Sequence, residues 1–172
     1  MVKGPLVEPG QTARLELELA DEERTLALGQ ALGSLLRAGD VVLLMGELGA
    51  GKTCLARGLA RGLGVDAAYV IQSPTFTLLN IYPGRLEFHH ADLYRLDAGQ
   101  SADLDLLEEA AAGVLAVEWP ERAPELWPAA ALRVELAHQG QRRRAAISGP
   151  ADLIGRLKAA MLGPALKSAT NG

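Results

Sequence analysis

The stretch VVLLMGELGAGKTCLARGLARGL, residues 41–63, combines three patterns in one order. Its first five residues, 41–45, form an apolar run that is short enough and β-branched enough for a buried strand. Residues 46–53 then satisfy the pattern G-x-x-x-x-G-K-[ST]. From 54 to 63, leucines recur every four residues with arginines between them, which predicts an amphipathic helix. Strand, glycine loop and helix therefore follow in the order that a phosphate-binding loop (P-loop) requires.

The residue types of this loop suit a nucleoside triphosphate accompanied by Mg²⁺. A helix N-terminus offers unpaired N–H groups and a partial positive charge, and glycines let the backbone approach phosphates closely. Lysine adds a mobile positive charge, and a threonine hydroxyl is a hard oxygen ligand of the kind that Mg²⁺ prefers. The predicted cofactor-binding residues are Gly49, Ala50, Gly51, Lys52, Thr53 and Cys54, with Thr53 also a metal ligand.

Composition bounds the class of protein. With 172 residues, of which 49% are hydrophobic, we expect a single domain over 1–172 with loose tails at 1–12 and 163–172. No apolar run approaches the length of about 18 residues that a membrane helix needs, and the N-terminus lacks a signal-peptide core. We therefore expect a cytoplasmic protein with no membrane partner. The net charge of −4 argues against a free-standing nucleic-acid binder, but it leaves action on RNA through a partner open.

The number and spacing of cysteines and histidines argue against a disulfide within the chain and against a zinc site. Cys54 is the only cysteine in the sequence, so no disulfide can form within the chain, and we expect its side chain to be packed rather than reactive. His89 and His90 are adjacent and would face opposite sides of a strand, while His138 is distant in sequence. This spacing argues against a zinc site.

Periodicity and turn signals outline the remaining elements. Asp21 is predicted to cap a helix that runs to about Arg37 and closes at Gly39. Strands are predicted at 14–19, 78–82, 85–90, 114–117, 132–138 and 142–148, helices at 101–112 and 152–161, and an irregular proline-broken segment at 121–131. We expect an α/β fold, a P-loop NTPase-like three-layer domain with a mixed central sheet and helices on both faces. Its sheet should be parallel around the loop strand and antiparallel at the 78–90 and 132–148 pairs.

Acidic residues at strand ends are candidate partners for the loop, because a bound Mg²⁺ and an attacking water need carboxylates near the γ-phosphate. Glu118 ends the apolar run 114–117 and is the candidate metal-side acid, whereas Asp92 ends the strand that carries His90. Each could instead be an ordinary surface acid at a strand end. Thr75 is a candidate contact for the γ-phosphate, although a turn hydroxyl bonded to its own backbone is the alternative.

Four motifs in order resemble the bacterial TsaE (YjeE) family, and the resemblance spans about residues 15–150. They are GELGAGKT at 46–53, SPTFTL at 73–78, HADLYRL at 90–96 and VEWPE at 117–121. The resemblance implies a Mg²⁺-dependent ATPase, weak alone, of tRNA threonylcarbamoyladenosine biosynthesis. It further implies two partner proteins, TsaD and TsaB, whose complex is switched or reset by ATP hydrolysis, with tRNA reached only through that complex.

The resemblance also implies roles for individual residues. Lys52 and Thr53 match the family's phosphate and magnesium residues, Glu118 its metal-side acid, and Asp92 its second acid. Thr75 falls on a switch-like segment, residues 73–75, that responds to the nucleotide. Trp119 falls on an aromatic position beside the metal acid, where ordinary core packing is the alternative. Cys54 stands where the family often has a second threonine, and the adenine is expected between Glu22 and the C-terminal strands.

Other functions were weighed against the ATPase. A small P-loop nucleoside or metabolite kinase would usually carry an arginine-bearing lid, and the chain is short for such an insertion. A GTPase would need an N-K-x-D motif, which the sequence lacks. A non-catalytic nucleotide-dependent binding module stays open.

The basic run 142–144 is either a solvated strand or a contact for nucleotide, tRNA or partner. Arg57, Arg61 and Arg95 are each candidates for stabilising transition-state charge, and nothing in the sequence selects one.

Overall fold

The computed structural model describes residues 11–96, 100 and 104–163. The strands are β1 (Thr12–Leu19), β2 (Val41–Met45), β3 (Leu79–Tyr82), β4 (Phe88–Asp92), β5 (Val114–Glu118), β6 (Leu132–Gln139) and β7 (Arg142–Pro150). The helices are α1 (Glu22–Leu35), α2 (Lys52–Gly62), α3 (Leu106–Glu109) and α4 (Ala151–Leu162), with 3₁₀ turns at Pro120–Arg122 and Pro124–Leu126.

The seven strands form one mixed sheet in the order β1-β7-β6-β2-β5-β4-β3. Its centre is parallel, because β2 pairs in parallel with both β5 and β6, and β4 pairs in parallel with β5. Antiparallel pairs lie on either side: β3 with β4, and β6 with β7, which in turn pairs with β1. The predicted mixed α/β architecture is confirmed, including the parallel environment of the loop strand and both antiparallel pairs.

Two hydrophobic clusters cover the two faces of the sheet. The alternation of side chains along β2 assigns Val42 and Leu44 to one cluster, and Val41 and Leu43 to the other. The first cluster contains the apolar faces of α1, α2 and α4. The second is covered by α3, the two 3₁₀ turns and loop residues, so this outer layer is thin.

No helix within 11–96 or 104–163 is both long enough and apolar enough to cross a membrane.

The helices α1 and α2 pack at glycines. Gly29 and Gly33 of α1 face Gly58 and Gly62 of α2, and a Cβ atom on Gly58 would lie 2.8 Å from Gly29 Cα and would collide with Leu26 O. Only hydrogen atoms fit between the two backbones at these positions. Because α2 begins in the glycine loop, this close approach fixes the loop against α1.

Several predicted boundaries shift. Asp21 caps α1 as predicted, accepting a hydrogen bond from Arg24 N at 2.8 Å, but the helix ends at Leu35 instead of running to Arg37. The predicted loose tail 1–12 is wrong at Thr12, which pairs with Pro150 in the sheet, and 1–10 lie outside the described residues. Of the second predicted tail, 163–172, only Gly163 is described, as the C-cap of α4.

The largest error concerns the helix predicted over 101–112. Only Leu106–Glu109 are helical; 101–103 lie outside the described residues, and the chain turns at Ala110 before Gly113. The N–H of Gly113 donates to Ala110 O at 2.9 Å, and the chain then enters β5. The predicted apolar face, Leu104, Leu107 and Ala111, is also wrong, because Leu107 and Ala111 are exposed and Leu106 and Ala110 are the residues buried in the second cluster.

We predict that the substitution Gly58→Ala lowers the free energy of unfolding by about 2 kcal/mol, because overpacking of the α1–α2 contact outweighs the gain in helix propensity. Gly155→Ala is the matched control, since a Cβ at Gly155 in α4 meets no atom within 4 Å, and it should raise stability by about 0.5–1 kcal/mol. Urea unfolding of both variants checks this. Equal stabilisation by both substitutions would contradict the close approach.

Candidate functional site

The glycine loop lies between β2 and α2, at the carboxyl end of the central strand. Gly46, Gly49 and Gly51 all have positive φ angles. Gly51 is the N-cap of α2 with φ 110°, a conformation that side chains rarely adopt, and no side chain caps the helix. The first-turn N–H groups of α2 are therefore open to an anionic ligand.

Lys52 is buried and folds back onto the loop. Its Nζ donates to Gly46 O at 2.5 Å and to Glu47 O at 3.0 Å, and it lies 4.0 Å from the centroid of the Trp119 ring. Burial lowers the pKa of Lys52 from its usual value, and the negative charge of Glu118, together with Glu121 and Asp92, opposes this shift. The ammonium group is thus held at the loop by neutral carbonyls and an aromatic face, which phosphate oxygens can replace.

Trp119 owes its position to a strained backbone. Its φ of 59° and ψ of 46° place it in the left-handed region, which is uncommon for a bulky residue. Directly after β5, this turn brings the indole over Lys52 and against the ring of Tyr94, 5.0 Å away between centroids. The aromatic position predicted beside the metal acid therefore contacts the P-loop lysine and is partly packed against the core. Such strain is characteristic of functional sites.

Glu118 ends β5 and is 3% exposed. Its Oε1 accepts a hydrogen bond from Thr53 Oγ1 at 3.0 Å and lies at hydrogen-bond distance, 2.9 Å, from Nε2 of the His90 ring. A strand-end carboxylate is thereby joined to the threonine of the glycine motif, 65 residues earlier in the chain. The structure thus brings together the two residues that the sequence predicted as metal ligands.

Asp92, the second predicted acid, ends β4 beside Glu118, its parallel partner in the sheet. Its Oδ2 accepts hydrogen bonds from Ser73 Oγ and from Thr75 Oγ1, the latter at 3.3 Å, and its Oδ1 accepts from Tyr94 N at 2.9 Å. Thr75 thus contacts the second acid, an arrangement that neither of the two sequence-based alternatives included.

A cavity of about 410 Å³ joins these groups. It is lined by predicted site residues, namely Gly49, Gly51, Lys52, Thr53, Cys54, Thr75, Asp92 and Glu118, and by Glu22, Leu48, Arg57, Ser73, Tyr94, Trp119 and Arg143. Ala50, also predicted, does not line the cavity; it is buried and its N–H donates to Glu47 O at 3.0 Å. The cavity extends from the P-loop toward Glu22 and β7, where the adenine was expected.

Cys54 is packed at the wall of this cavity. Its Sγ lies 3.6 Å from Glu22 O, and burial, reinforced by the charge of Glu22, raises the pKa of the thiol. The side chain therefore stays a protonated thiol of low reactivity. The group of Cys54 that could bind a phosphate is its backbone N–H, which lies in the first turn of α2.

The basic run 142–144 divides between the two faces of β7. Arg142 and Arg144 form exposed ion pairs with Glu18 and Glu16 of β1, at 3.2 and 2.6 Å. Arg143 points the other way, lines the cavity and packs its guanidinium against Gly51. Its Nε is buried without a hydrogen-bond partner. The two-residue alternation of a strand was the signal that could have singled out Arg143 from the sequence.

The other candidate arginines have different surroundings. Arg57 lines the cavity but is paired with Glu22 at 3.4 Å, and Arg95 lies over the ring of Phe76 at 4.3 Å. Arg61 does not line this cavity. Two further site residues were not predicted from the sequence as such. His90 was considered only as a zinc ligand, but its ring contacts Glu118. Ser73 was named only within the segment 73–75, but its hydroxyl donates to Asp92, as does that of Thr75.

Comparison with known proteins shows similarity over most of the chain. The model of the family described as "Threonylcarbamoyl adenosine biosynthesis protein TsaE" matches residues 19–146. A protein of Nostoc sp. (strain PCC 7120), named tRNA threonylcarbamoyladenosine biosynthesis protein TsaE, is 49% identical over 112 residues, covering 62% of this chain and 68% of the relative. A protein of the same name from Treponema pallidum is 43% identical over 114 residues, covering 65% and 83%. The crystal structure of Bacillus subtilis YdiB matches with a TM-score of 0.72 and 26% identity, covering 90% of this chain and 98% of that one.

We predict that Arg143→Ala weakens binding of a non-hydrolysable ATP analogue with Mg²⁺ by about 10-fold, the effect of losing one charge-assisted contact. Arg142→Ala and Arg144→Ala, on the opposite face of the same strand, are matched controls and should change the affinity by less than about 2-fold, since their charges are exposed and paired. Isothermal titration calorimetry measures all three. Equal losses would assign the effect to general electrostatics instead of to contact in the cavity.

Proposed function

This chain belongs to the TsaE family of threonylcarbamoyl adenosine biosynthesis proteins, and on that premise we propose that it is the ATP-binding and ATP-hydrolysing subunit of the system. Its ATPase cycle switches or resets a complex of TsaD-like and TsaB-like proteins, and tRNA is reached only through that complex. The observation that carries the proposal is the hydrogen bond between Thr53 Oγ1 and Glu118 Oε1. This contact places the hydroxyl of a P-loop motif against a buried strand-end carboxylate.

The donor set at this contact fits Mg²⁺. A hydroxyl and a carboxylate are hard oxygen ligands, and Mg²⁺ is usually held by one or two carboxylates together with substrate phosphates. Thr53 and Glu118 would hold the ion, which when bound neutralises charge on the β- and γ-phosphate oxygens.

Lys52 and the first turn of α2 bind the phosphates. The carbonyl partners of Lys52 are neutral, so phosphate oxygens compete with them favourably for the ammonium group. The uncapped N–H groups that follow Gly51 supply further donors without any rearrangement of the helix. Arg143, with its unpartnered buried Nε, adds positive charge from the β7 side of the cavity.

Asp92 orients the attacking water in this proposal, whereas Glu118 serves the metal. The division follows from their contacts: Glu118 touches the threonine of the P-loop, and Asp92 touches the segment 73–75. A carboxylate in this place can accept a proton or a hydrogen bond from water. Its place beside Glu118 in the sheet keeps both acids at the same end of the cavity.

The contact between Asp92 and Thr75 also suggests how nucleotide state reaches a partner. A γ-phosphate in the cavity competes with Asp92 for the Thr75 hydroxyl, which would move the segment that carries Phe76. Phe76 is 85% exposed, and Leu48 of the P-loop and Val70 are 76% and 73% exposed. Leu48 lines the cavity and Phe76 directly follows the cavity-lining Thr75, and exposed large apolar side chains of this kind are suited to a protein interface. Hydrolysis would thus alter a surface that a partner covers.

Phosphate release from ATP tests the enzymatic part of the proposal. We expect slow release by the protein alone and faster release with TsaD and TsaB present. Glu118→Gln should lower release at least about 100-fold, or roughly 3 kcal/mol of transition-state stabilisation, because the metal-side carboxylate is lost. Glu109→Gln, which alters an exposed acid on α3 that does not line the cavity, should change the rate by less than about 2-fold. Transfer of phosphate to a small acceptor would instead indicate a P-loop nucleoside or metabolite kinase.

Complex formation tests the switching part. We expect Lys52→Ala to abolish nucleotide-dependent assembly with TsaD and TsaB in size-exclusion chromatography, because the phosphates lose their buried cation. Lys158→Ala, an exposed lysine on α4, is the control and should leave assembly intact. Assembly by Lys52→Ala at the same ATP dependence as the unsubstituted protein would contradict the proposed coupling.

A further inference from the structure

We propose that His90 is a positioning residue for Glu118: its ring Nε2 holds the carboxylate in the orientation that metal–nucleotide binding requires. This inference rests on the proposed Mg²⁺-dependent ATPase. It assigns a role to a buried histidine that touches neither the cavity nor the P-loop.

The location of His90 makes it a rigid hydrogen-bond donor. It lies in the middle of β4, is fully buried, and stacks on Phe88 with ring centroids 5.8 Å apart and an angle of 20° between the planes. Asn80 and Ala116 flank it in the neighbouring strands. The imidazole is therefore fixed by the sheet and by its stacking, whereas the second donor to Glu118, the Thr53 hydroxyl, can rotate.

The hydrogen bond has a defined direction. As the Mg²⁺ ligand of the proposed function, Glu118 is an ionised carboxylate that only accepts hydrogen bonds, and the proposal therefore assigns the proton to the ring nitrogen that faces its Oε1 at 2.9 Å. Nδ1, the other ring nitrogen, is buried without a hydrogen-bond partner. The contact with Glu118 thus determines which ring nitrogen is protonated, as happens when a second residue orients a metal ligand.

The contact with Glu118, and not the unpartnered Nδ1 that His89 shares, argues against a purely structural role. A buried polar atom that lacks a partner costs free energy, and an apolar side chain at position 90 would avoid this cost beside Phe88. The one polar interaction that His90 makes in the described structure is with the carboxylate of Glu118. What the histidine contributes is therefore the placement of that carboxylate.

Neighbouring His89 provides a matched comparison within the same strand. It is 3% exposed, so both histidines are buried, but its side chain lies on the opposite face of the sheet. Its Nε2 is 3.9 Å from Glu87, an exposed acid remote from the cavity, and its Nδ1 is likewise without a partner. Substitutions of His89 therefore report the cost of altering a buried histidine in β4 without altering Glu118.

The test uses His90→Leu, which removes the donor, His90→Gln, whose amide nitrogen reaches about as far as Nε2, and His90→Asn, whose amide is too short. His89→Leu is the control. Affinity for a non-hydrolysable ATP analogue is measured with and without Mg²⁺, and Mn²⁺ binding to the nucleotide complex is measured by electron paramagnetic resonance. Phosphate release and thermal unfolding complete the set.

We expect His90→Leu and His90→Asn to weaken Mn²⁺ binding and slow phosphate release by about 10–100-fold, the range for residues that orient metal ligands. Nucleotide affinity without Mg²⁺ should change by less than about 2-fold. His90→Gln should stay within about 3-fold of the unsubstituted protein, and His89→Leu within about 2-fold.

Other outcomes overturn the inference. Equal effects of His90→Leu and His89→Leu, an equal loss of affinity without Mg²⁺, or equal behaviour of His90→Gln and His90→Asn would each do so. If His90→Leu fails to fold, the comparison of the Gln and Asn variants still decides the question. An unsubstituted protein whose nucleotide binding ignores Mg²⁺ would instead contradict the proposed function itself.

Discussion

The hydrogen bond from Thr53 to Glu118 joins two parts of the chain that the site requires to meet. It can form because β2 and β5 are parallel neighbours with Leu44 opposite Glu118, so the loop after β2 and the acid at the end of β5 emerge at the same edge. The next parallel pair brings Asp92 alongside. The positions of the glycine loop, Glu118 and Asp92 thus follow from the order and register of three strands. A one-residue slip in either pairing would turn these carboxylates to the other face of the sheet.

This edge of the sheet concentrates polar groups that are costly to bury. Lys52, Asp92 and Glu118 are each no more than 5% exposed, and His90 is fully buried. Their cost is offset by mutual contacts: carbonyls and an indole for the ammonium group, hydroxyls and an imidazole for the carboxylates. Such groups are preorganised before any ligand arrives, which suits electrostatic stabilisation of phosphoryl transfer. The strained backbone of Trp119 belongs to the same pattern, in which local stability is sacrificed at a functional site.

Local sequence signals predicted the helices and strands well where the spacing of apolar residues agreed with the positions of turn and capping residues. The strand, glycine loop and helix of 41–63, the Asp21 cap and both antiparallel pairs were all predictable from such signals. The helix expected over 101–112 failed because apolar spacing does not reveal where a helix stops. Thr12 was assigned to a loose tail because residues 1–12 contain two prolines and two glycines, yet pairing with β7 extends the strand to Thr12. Arg143 and His90 were undervalued because their importance depends on which face of a strand meets the cavity.

The sequence by itself determined the strand, glycine loop and helix of residues 41–63, because a glycine-rich turn before a helix, with Lys52 and Thr53, is a local arrangement that needs no distant partner. It also determined the α/β class, since periodicity is encoded residue by residue. Only the tertiary structure decided which acids and which arginine share the cavity, that Thr75 contacts Asp92, and that His90 contacts Glu118. Those contacts depend on strand order and register. Both are set by the packing of the whole sheet against α1, α2 and α4, a long-range property that no local window of sequence contains.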